Sequence, residues 1–533
     1  MLGINYRQHH QDEDDDVYDV AIVGAGVVGL AVARFCAFNK MSVVCFERED
    51  VVSAAASSGN SGIGCTGYDA PKGSLERQLL RRSIQLHPSL YRSFGLSYEH
   101  VRKCGSLVVA WTPEDMKKLP EILEENRDAG DEEACMLSKE ELYEMEPALG
   151  SSALGAVYCP REAVVEPWLV PIGYFHSAKK LGANILTSTQ VDSAYYNKNE
   201  RLWTVCGKRC KAKQIGRSTQ NELFVRATSE CKSSEETTTT CRARVLINCA
   251  GLYGDHVENM ILGKNSPKEF NVSDTPTHST PHPFTLKHTH THTHTQQIIP
   301  RKGQFLVFKL EKQNEQLTCV IEPTPSQFTK GVIVWRTIYG NLIVGPTAEP
   351  QISRSDRSTH KETIEMLRKH AEKVVPDLVK NATVIGTYSG LRPATEHRDY
   401  LIKKYPDNSY IRVAGIRSTG LTASSGIGEY VSELCDSLLF DKPVCHASSS
   451  MVGVTQAATS CQVPLRPMNS TTIDDDDDDD DEVVPTLIDL AKDYRHTNDG
   501  TVSVYGERFR VTHPISSFGM ETIDVTDDNN NEQ

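Results

Sequence analysis

Val20–Phe35 reads VAIVGAGVVGLAVARF, and the fold follows from how that stretch is parsed. Four apolar residues predict a buried strand, and Gly24-Ala25-Gly26-Val27-Val28-Gly29 ends it and opens a helix. Gly24 permits the tight turn, Gly26 lets the backbone approach a pyrophosphate, and Gly29 lets the helix pack close to the strand. The free N–H groups at the helix start suit an anionic phosphate. Glu47 closes the next apolar run, SVVCFE, 18 positions after Gly29, where an acid can accept from ribose hydroxyls. Strand, glycine turn, helix, strand and acid together predict a dinucleotide site. They do not choose between NAD and FAD, since both present the same ADP ribose.

The chain has 533 residues and a net charge of −14. Two runs, Asp12–Asp16 and Asp474–Glu482, hold 14 acidic residues between them, and the rest of the chain is neutral. Nothing therefore argues for nucleic acid as a partner. Fifteen scattered cysteines, with no secretory leader in view, predict reduced thiols and a cytoplasmic setting. The acidic start argues against a mitochondrial transit peptide. No apolar run reaches the roughly 18 residues of a membrane-spanning helix, and peripheral attachment stays open. Cys206, Cys210, Cys231 and Cys241 lack paired close spacing, so no metal site is expected.

Low-complexity stretches punctuate the chain. Residues 1–16 read as a disordered acidic arm, 264–297 as a His/Thr-rich insertion carrying KHTHTHTHTQQ, and 441–482 as a linker ending in the acidic run. The alternating histidines could ligate a metal, though a tandem expansion in a surface loop is the plainer reading. Residues 483–533 regain periodicity around NDGT and read as a small module docked on the main body. In between, SVVCFE, RVLINCAG, NLIVGPT and YIRVAGI read as strands, and GLAVARFCAFNK and GEYVSELCDSLLF as helices.

ASSGNSG after the second strand, INCAGLYGD at Ile247–Asp255, YSGLRPA at Tyr388–Ala394 and VAGIRSTGLTASSGIGEYV at Val413–Val431 resemble, in order, the D-amino-acid-oxidase-like superfamily of FAD-dependent oxidoreductases. Within it the chain is most similar to glycerol-3-phosphate oxidases and dehydrogenases, with L-2-hydroxyglutarate dehydrogenases as near neighbours. The resemblance implies an α/β fold in which a Rossmann-like FAD-binding domain carries an inserted α+β substrate domain on a mixed or antiparallel sheet. The expected FAD domain takes 17–92, 160–191, 242–263 and 380–440, and the substrate domain 93–159, 192–241 and 298–379. Gly24, Gly26, Gly29 and Glu47 would hold the ADP portion. Ser57, Ser58, Asn60, Ser61 and Gly62 would follow the pyrophosphate and ribityl chain, with Ala250 and Gly251 near adenine. Gly415 and Ser418, Thr419, Gly420, Leu421 and Thr422 would close over the pyrimidine edge of the flavin, where backbone N–H groups favour negative charge. The last segment is also readable as a helix cap.

The resemblance also implies substrate residues: Arg392 in GLRP and Lys330 in TKGVIV, a forked donor and a point charge for an anionic headgroup. Arg301, Arg336 and Arg417 are further basic candidates or simply solvated charges. Relatives carry a flavin-facing histidine where Cys65 stands, and such a histidine can take the carbinol proton. For Cys65 three readings stay open: a small residue shaping the site, one replaced in function by His397 or His513, or a covalent link to flavin. Ser61 stands beside it as a candidate. The reaction implied is oxidation of a CH–OH group on a small anionic substrate, first of all glycerol 3-phosphate, with oxygen or a quinone as final acceptor. A 2-hydroxyacid dehydrogenase, an amino-acid or amine oxidase, and a flavin-binding protein without turnover are the alternatives.

Overall fold

The computed structural model describes residues 17–94, 101–210, 238–262, 298–310, 317–325 and 331–440, with the backbone of Thr501–Val504 and Glu507–Arg510. The His/Thr-rich insertion, both acidic runs, Lys330 and His513 lie outside the described residues.

The opening stretch folds as its pattern dictates. Strand β1 (Val17–Val23) leads through the glycines into helix α1 (Val27–Phe38) and on to β2 (Val43–Phe46). Both faces of β2 are buried, as its unbroken apolar run requires. β1 lies parallel to β2 on one side and to strand Thr238–Asn248 on the other, with Val23 opposite both Phe46 and Asn248. Strands Asn184–Leu186 and Tyr410–Ala414 extend the parallel part outward. Gly24 thus emerges at the carboxyl ends of parallel strands, where ligands of such sheets bind.

Thr238–Asn248 serves two partners along its length. Its first half pairs antiparallel with Leu202–Arg209, which in turn pairs with Thr189–Asn197, and its last residues pair parallel with Tyr410–Ala414. The hairpin from 189 to 209 therefore belongs to the nucleotide-binding sheet, which corrects the placement of 192–209 and 238–241 in the substrate domain. Strand periodicity shows that a segment pairs, not with which neighbour.

The second sheet is mixed: Val320–Pro323 runs parallel to Ser106–Ala110, while the remaining pairs are antiparallel. Strand Thr383–Ala394, expected in the FAD domain, lies in this sheet along the full length of Ile299–Lys309. Alternation gives the sheet two faces. Leu306, Val344, Val334 and Ile321 pack with Leu367 and Ala371 of the covering helix Lys361–Val374. One residue along each strand, Tyr388, Phe305, Gly345, Ile333 and Glu322 form a row on the opposite face.

Helices α2 (Leu75–Ser93) and α3 (Gly420–Leu439) complete the nucleotide domain. At Gly428 a side chain would press on the Phe35 ring and the Ala31 carbonyl, so α3 packs directly on the backbone of α1. Ser74 caps α2 by accepting from the Arg77 N–H. In the tail, Thr501–Val504 and Glu507–Arg510 pair antiparallel.

A loop of the nucleotide domain touches the second sheet through backbone. A Cβ at Gly390 would stand 2.1 Å from the Gly59 carbonyl oxygen, and one at Gly59 2.4 Å from the Gly390 Cα. Gly390→Ala is expected to destabilise the protein by about 1–3 kcal/mol through overpacking, read as an earlier thermal transition by circular dichroism with flavin release moving in step.

Candidate active site

A cavity of about 1160 Å³ runs between the two sheets, at or above the roughly 300–1,000 Å³ of ordinary ligand pockets. Gly24, Gly26 and Gly29 form one wall. Gly24 has φ +102, and a Cβ there would lie 2.6 Å from the Cys249 carbonyl oxygen; one at Gly29 would lie 1.9 Å from the Gly24 oxygen. Gly26, the residue before α1, has no side chain to cap the helix, so the first-turn amides are presented to the cavity, apart from that of Val27, which donates to Ser57 Oγ at 3.0 Å.

Glu47 braces this turn. Its Oε2 accepts from the Ala25 N–H at 2.8 Å and its Oε1 from the Glu49 N–H at 2.9 Å. Burial pushes its carboxyl above the usual range, against the pull of those two amides. Each oxygen keeps lone-pair capacity for a hydroxyl donor.

Ser57, Asn60 and Ser61 line the next part of the cavity. Asn60 holds the loop, donating to the Ser57 carbonyl and accepting from the Gly62 N–H, both at 2.7 Å. Two expected contacts turn elsewhere. Ser58 is buried in its own turn, donating to the carbonyls of Ala54 and Ala55 and accepting from Arg357. Gly62, at φ +70, packs on the Val165 carbonyl, which leaves no room for a side chain. Ala250 and Gly251 line the cavity, as do Gly415, Ser418, Thr419, Gly420 and Leu421.

Thr422 lies behind that wall. Its Oγ1 accepts from the Cys65 N–H at 3.3 Å and from Cys65 Sγ at 3.8 Å, and its carbonyl accepts from His87 Nε2 at 2.9 Å. Burial pulls the His87 imidazole down to about 4, so it is neutral at pH 7. Cys65 itself lines the cavity, with its thiol in the donor role.

Arg301 and Arg392 face each other across paired strands and both line the cavity. Arg392 Nη1 donates to the Thr347 carbonyl at 3.1 Å. Burial, then the neighbouring Arg301, bring Arg392 down to about 10, still charged at pH 7. Arg417 and His397 also line the cavity, whereas Arg336 does not.

Two acids escaped the sequence reading. Glu322 is 1% exposed, and its Oε2 accepts from the Tyr68 hydroxyl at 3.0 Å; both residues line the cavity. Glu76, 3% exposed, is bonded to Arg417 and Thr419. A carboxylate inside the otherwise apolar strand VIEP was the available signal for Glu322. Among the described residues no cluster of three or more His, Cys, Asp or Glu is placed to hold a metal, and no helix is long and apolar enough to cross a membrane.

A side-chain-free cradle, amides aimed at a phosphate, a braced acid and an elongated cavity fit a dinucleotide with room for a small substrate. The family model described as "FAD dependent oxidoreductase" (DAO) matches residues 19–434. The chain belongs to the DAO family of FAD-dependent oxidoreductases.

This oxidoreductase is 29% identical over 421 residues to a glycerol 3-phosphate dehydrogenase of Caloramator mitchellensis, covering 78% of this chain and 74% of that one. It is 25% identical over 441 residues to the glycerol 3-phosphate oxidase of Mycoplasma pneumoniae, covering 80% and 96%. A mitochondrial L-2-hydroxyglutarate dehydrogenase of Nematostella vectensis matches at 28% over 351 residues, covering 65% and 66%. Among solved structures, the L-alpha-glycerophosphate oxidase of Mycoplasma pneumoniae with FAD bound superposes with a TM-score of 0.61 at 23% identity, covering 79% of this chain and 95% of that one. The cofactor is FAD, and the protein is an FAD-dependent dehydrogenase or oxidase. Gly24, Gly26 and Gly29, with the α1 amides, are the residues that would hold its pyrophosphate.

Removing the brace should loosen the cofactor. Glu47→Ala is expected to release FAD about tenfold or more readily, since hydrogen bonds to a charged group are worth about 1.5–3 kcal/mol. Free-flavin fluorescence after dilution checks this, with circular dichroism reporting that the fold persists.

Proposed function

We propose that the enzyme oxidises the CH–OH group of a small anionic substrate, namely sn-glycerol 3-phosphate to dihydroxyacetone phosphate, passing electrons on to oxygen or a quinone in a cytoplasmic setting. The observation that carries this reading is the Arg301–Arg392 pair in the cavity wall. Two guanidiniums side by side repel each other and are stabilised by an anion between them. The resemblance to glycerol 3-phosphate enzymes supports phosphate as that anion. A carboxylate would satisfy the same arginines, so L-2-hydroxyglutarate or another 2-hydroxyacid is the second reading, supported by the third relative.

FAD, when bound, supplies the hydride acceptor at its N5. The carbinol proton must go to the protein. Cys65 suits this poorly, because its thiol already donates to Thr422 and an ordinary thiol is largely protonated at pH 7. The Tyr68–Glu322 pair suits it better. The phenol oxygen takes the carbinol proton while its own proton passes along the existing 3.0 Å hydrogen bond to the carboxylate. The C–H pair leaves as hydride and the O–H pair becomes the second bond of the carbonyl, so charge and electrons balance. His397 shares the cavity, and the same measurement reports on it.

Anaerobic mixing with glycerol 3-phosphate is expected to bleach the flavin band near roughly 450 nm, while L-2-hydroxyglutarate and a panel of amino acids bleach it slowly or not at all. The reverse order would establish the second reading. With the substrate that bleaches, Glu322→Gln should slow reduction about 10²-fold or more, whereas Cys65→Ala stays within about threefold. A large loss in Cys65→Ala or His397→Ala with Glu322→Gln near wild type would move the proton acceptor to that residue.

A further inference from the structure

Gly415, at φ +70, turns the chain out of strand Tyr410–Ala414, and residues 416–419 then run along the cavity before α3 begins. Ile63 and Cys65 line the same cavity, and Cys65 is tied to the first turn of α3 through Thr422.

Within that wall sits one charged couple. Arg417 Nη2 donates to Glu76 Oε2 and to the Arg398 carbonyl, both at 2.6 Å. Glu76 Oε1 accepts from Thr419 Oγ1 at 2.6 Å, and the Tyr400 hydroxyl lies 2.6 Å from the same Thr419 oxygen. Glu76 is itself fixed, because its N–H and that of Leu75 donate to the two oxygens of Asp399 at 2.9 Å each. Arg417 Nε is shielded from solvent and has no partner among the described residues. Both Arg417 and Glu76 line the cavity, so the braced ion pair forms part of its wall.

We propose that Arg417, positioned by Glu76, is the positive group against the pyrimidine end of the bound flavin, and that the Arg417–Glu76 couple sets how readily the ring accepts electrons. Reduction of the flavin, or addition of a nucleophile at N5, places negative charge on the pyrimidine side. A nearby guanidinium favours that charge, and the carboxylate behind it moderates the effect. The roles of the two residues are thus opposite in sign. The inference does not depend on the identity of the substrate.

The test uses purified holoenzyme and needs no turnover: the dissociation constant of sulfite, read by flavin bleaching, and the midpoint potential of the bound FAD by equilibration with a reference dye. Arg417→Gln should weaken sulfite binding about tenfold or more and lower the potential. Arg417→Lys should restore most of both, and Glu76→Gln should shift both the other way. A merely structural couple would move Arg417→Gln and Glu76→Gln in the same direction, and that result overturns the proposal, as does an Arg417→Gln enzyme within about twofold of wild type. Should Glu76→Gln fail to retain FAD, the contrast between Arg417→Gln and Arg417→Lys decides: equal loss in both rejects a charge effect, and rescue by lysine supports it.

Discussion

The structure hangs on an absence of side chains at one turn. The Cβ position of Gly29 lies 1.9 Å from the Gly24 carbonyl, and that of Gly24 lies 2.6 Å from the Cys249 carbonyl. Three backbone segments, the end of β1, the start of α1 and the end of Thr238–Asn248, therefore meet without side chains between them. From this contact α1 takes its direction, its first-turn amides face the cavity, and Glu47 comes within reach of the Ala25 N–H. The same economy recurs where Gly59 meets Gly390 and joins the loop of the nucleotide domain to the second sheet. Backbone-to-backbone contact at both places brings the second sheet close to the nucleotide-binding turn.

Alternation divides the second sheet into two faces. One face is apolar and covered by Lys361–Val374. The other carries a row that passes from the stacked rings of Tyr388 and Phe305, 4.3 Å apart, through Gly345 and Ile333 to Glu322. Aromatic and aliphatic members exclude water, and the acid at the end meets Tyr68. Arg301 and Arg392 stand in a different register on the same strands. The two arginines and Glu322 thus occupy separate rows of one surface.

Much of this was readable from the sequence. Gly24, Gly26, Gly29 and Glu47 announced a dinucleotide site, and four short motifs in order led to FAD. The placement of 192–209 and 383–394 was not readable, because alternation specifies a face and not a partner strand. Ser58 and Gly62 sit inside a cofactor motif, yet the first is taken up by its own turn and the second by Val165. Within such a loop the backbone path alone decides which small residue faces the ligand and which supports it.

By itself the sequence determined what depends on neighbours in the chain: the glycine turn, the helix it opens and the acid after the next strand, while the identity of the cofactor came from the resemblance of four dispersed motifs to a known family. These rest on steric and hydrogen-bonding rules that act over a few tens of residues. Tertiary structure alone decided which charges meet. Glu76 reaches Arg417 across 341 positions, and Tyr68 reaches Glu322 across 254. Such pairs carry no local signature, since either acid is equally at home on a solvated surface until packing closes around it and obliges it to find a partner.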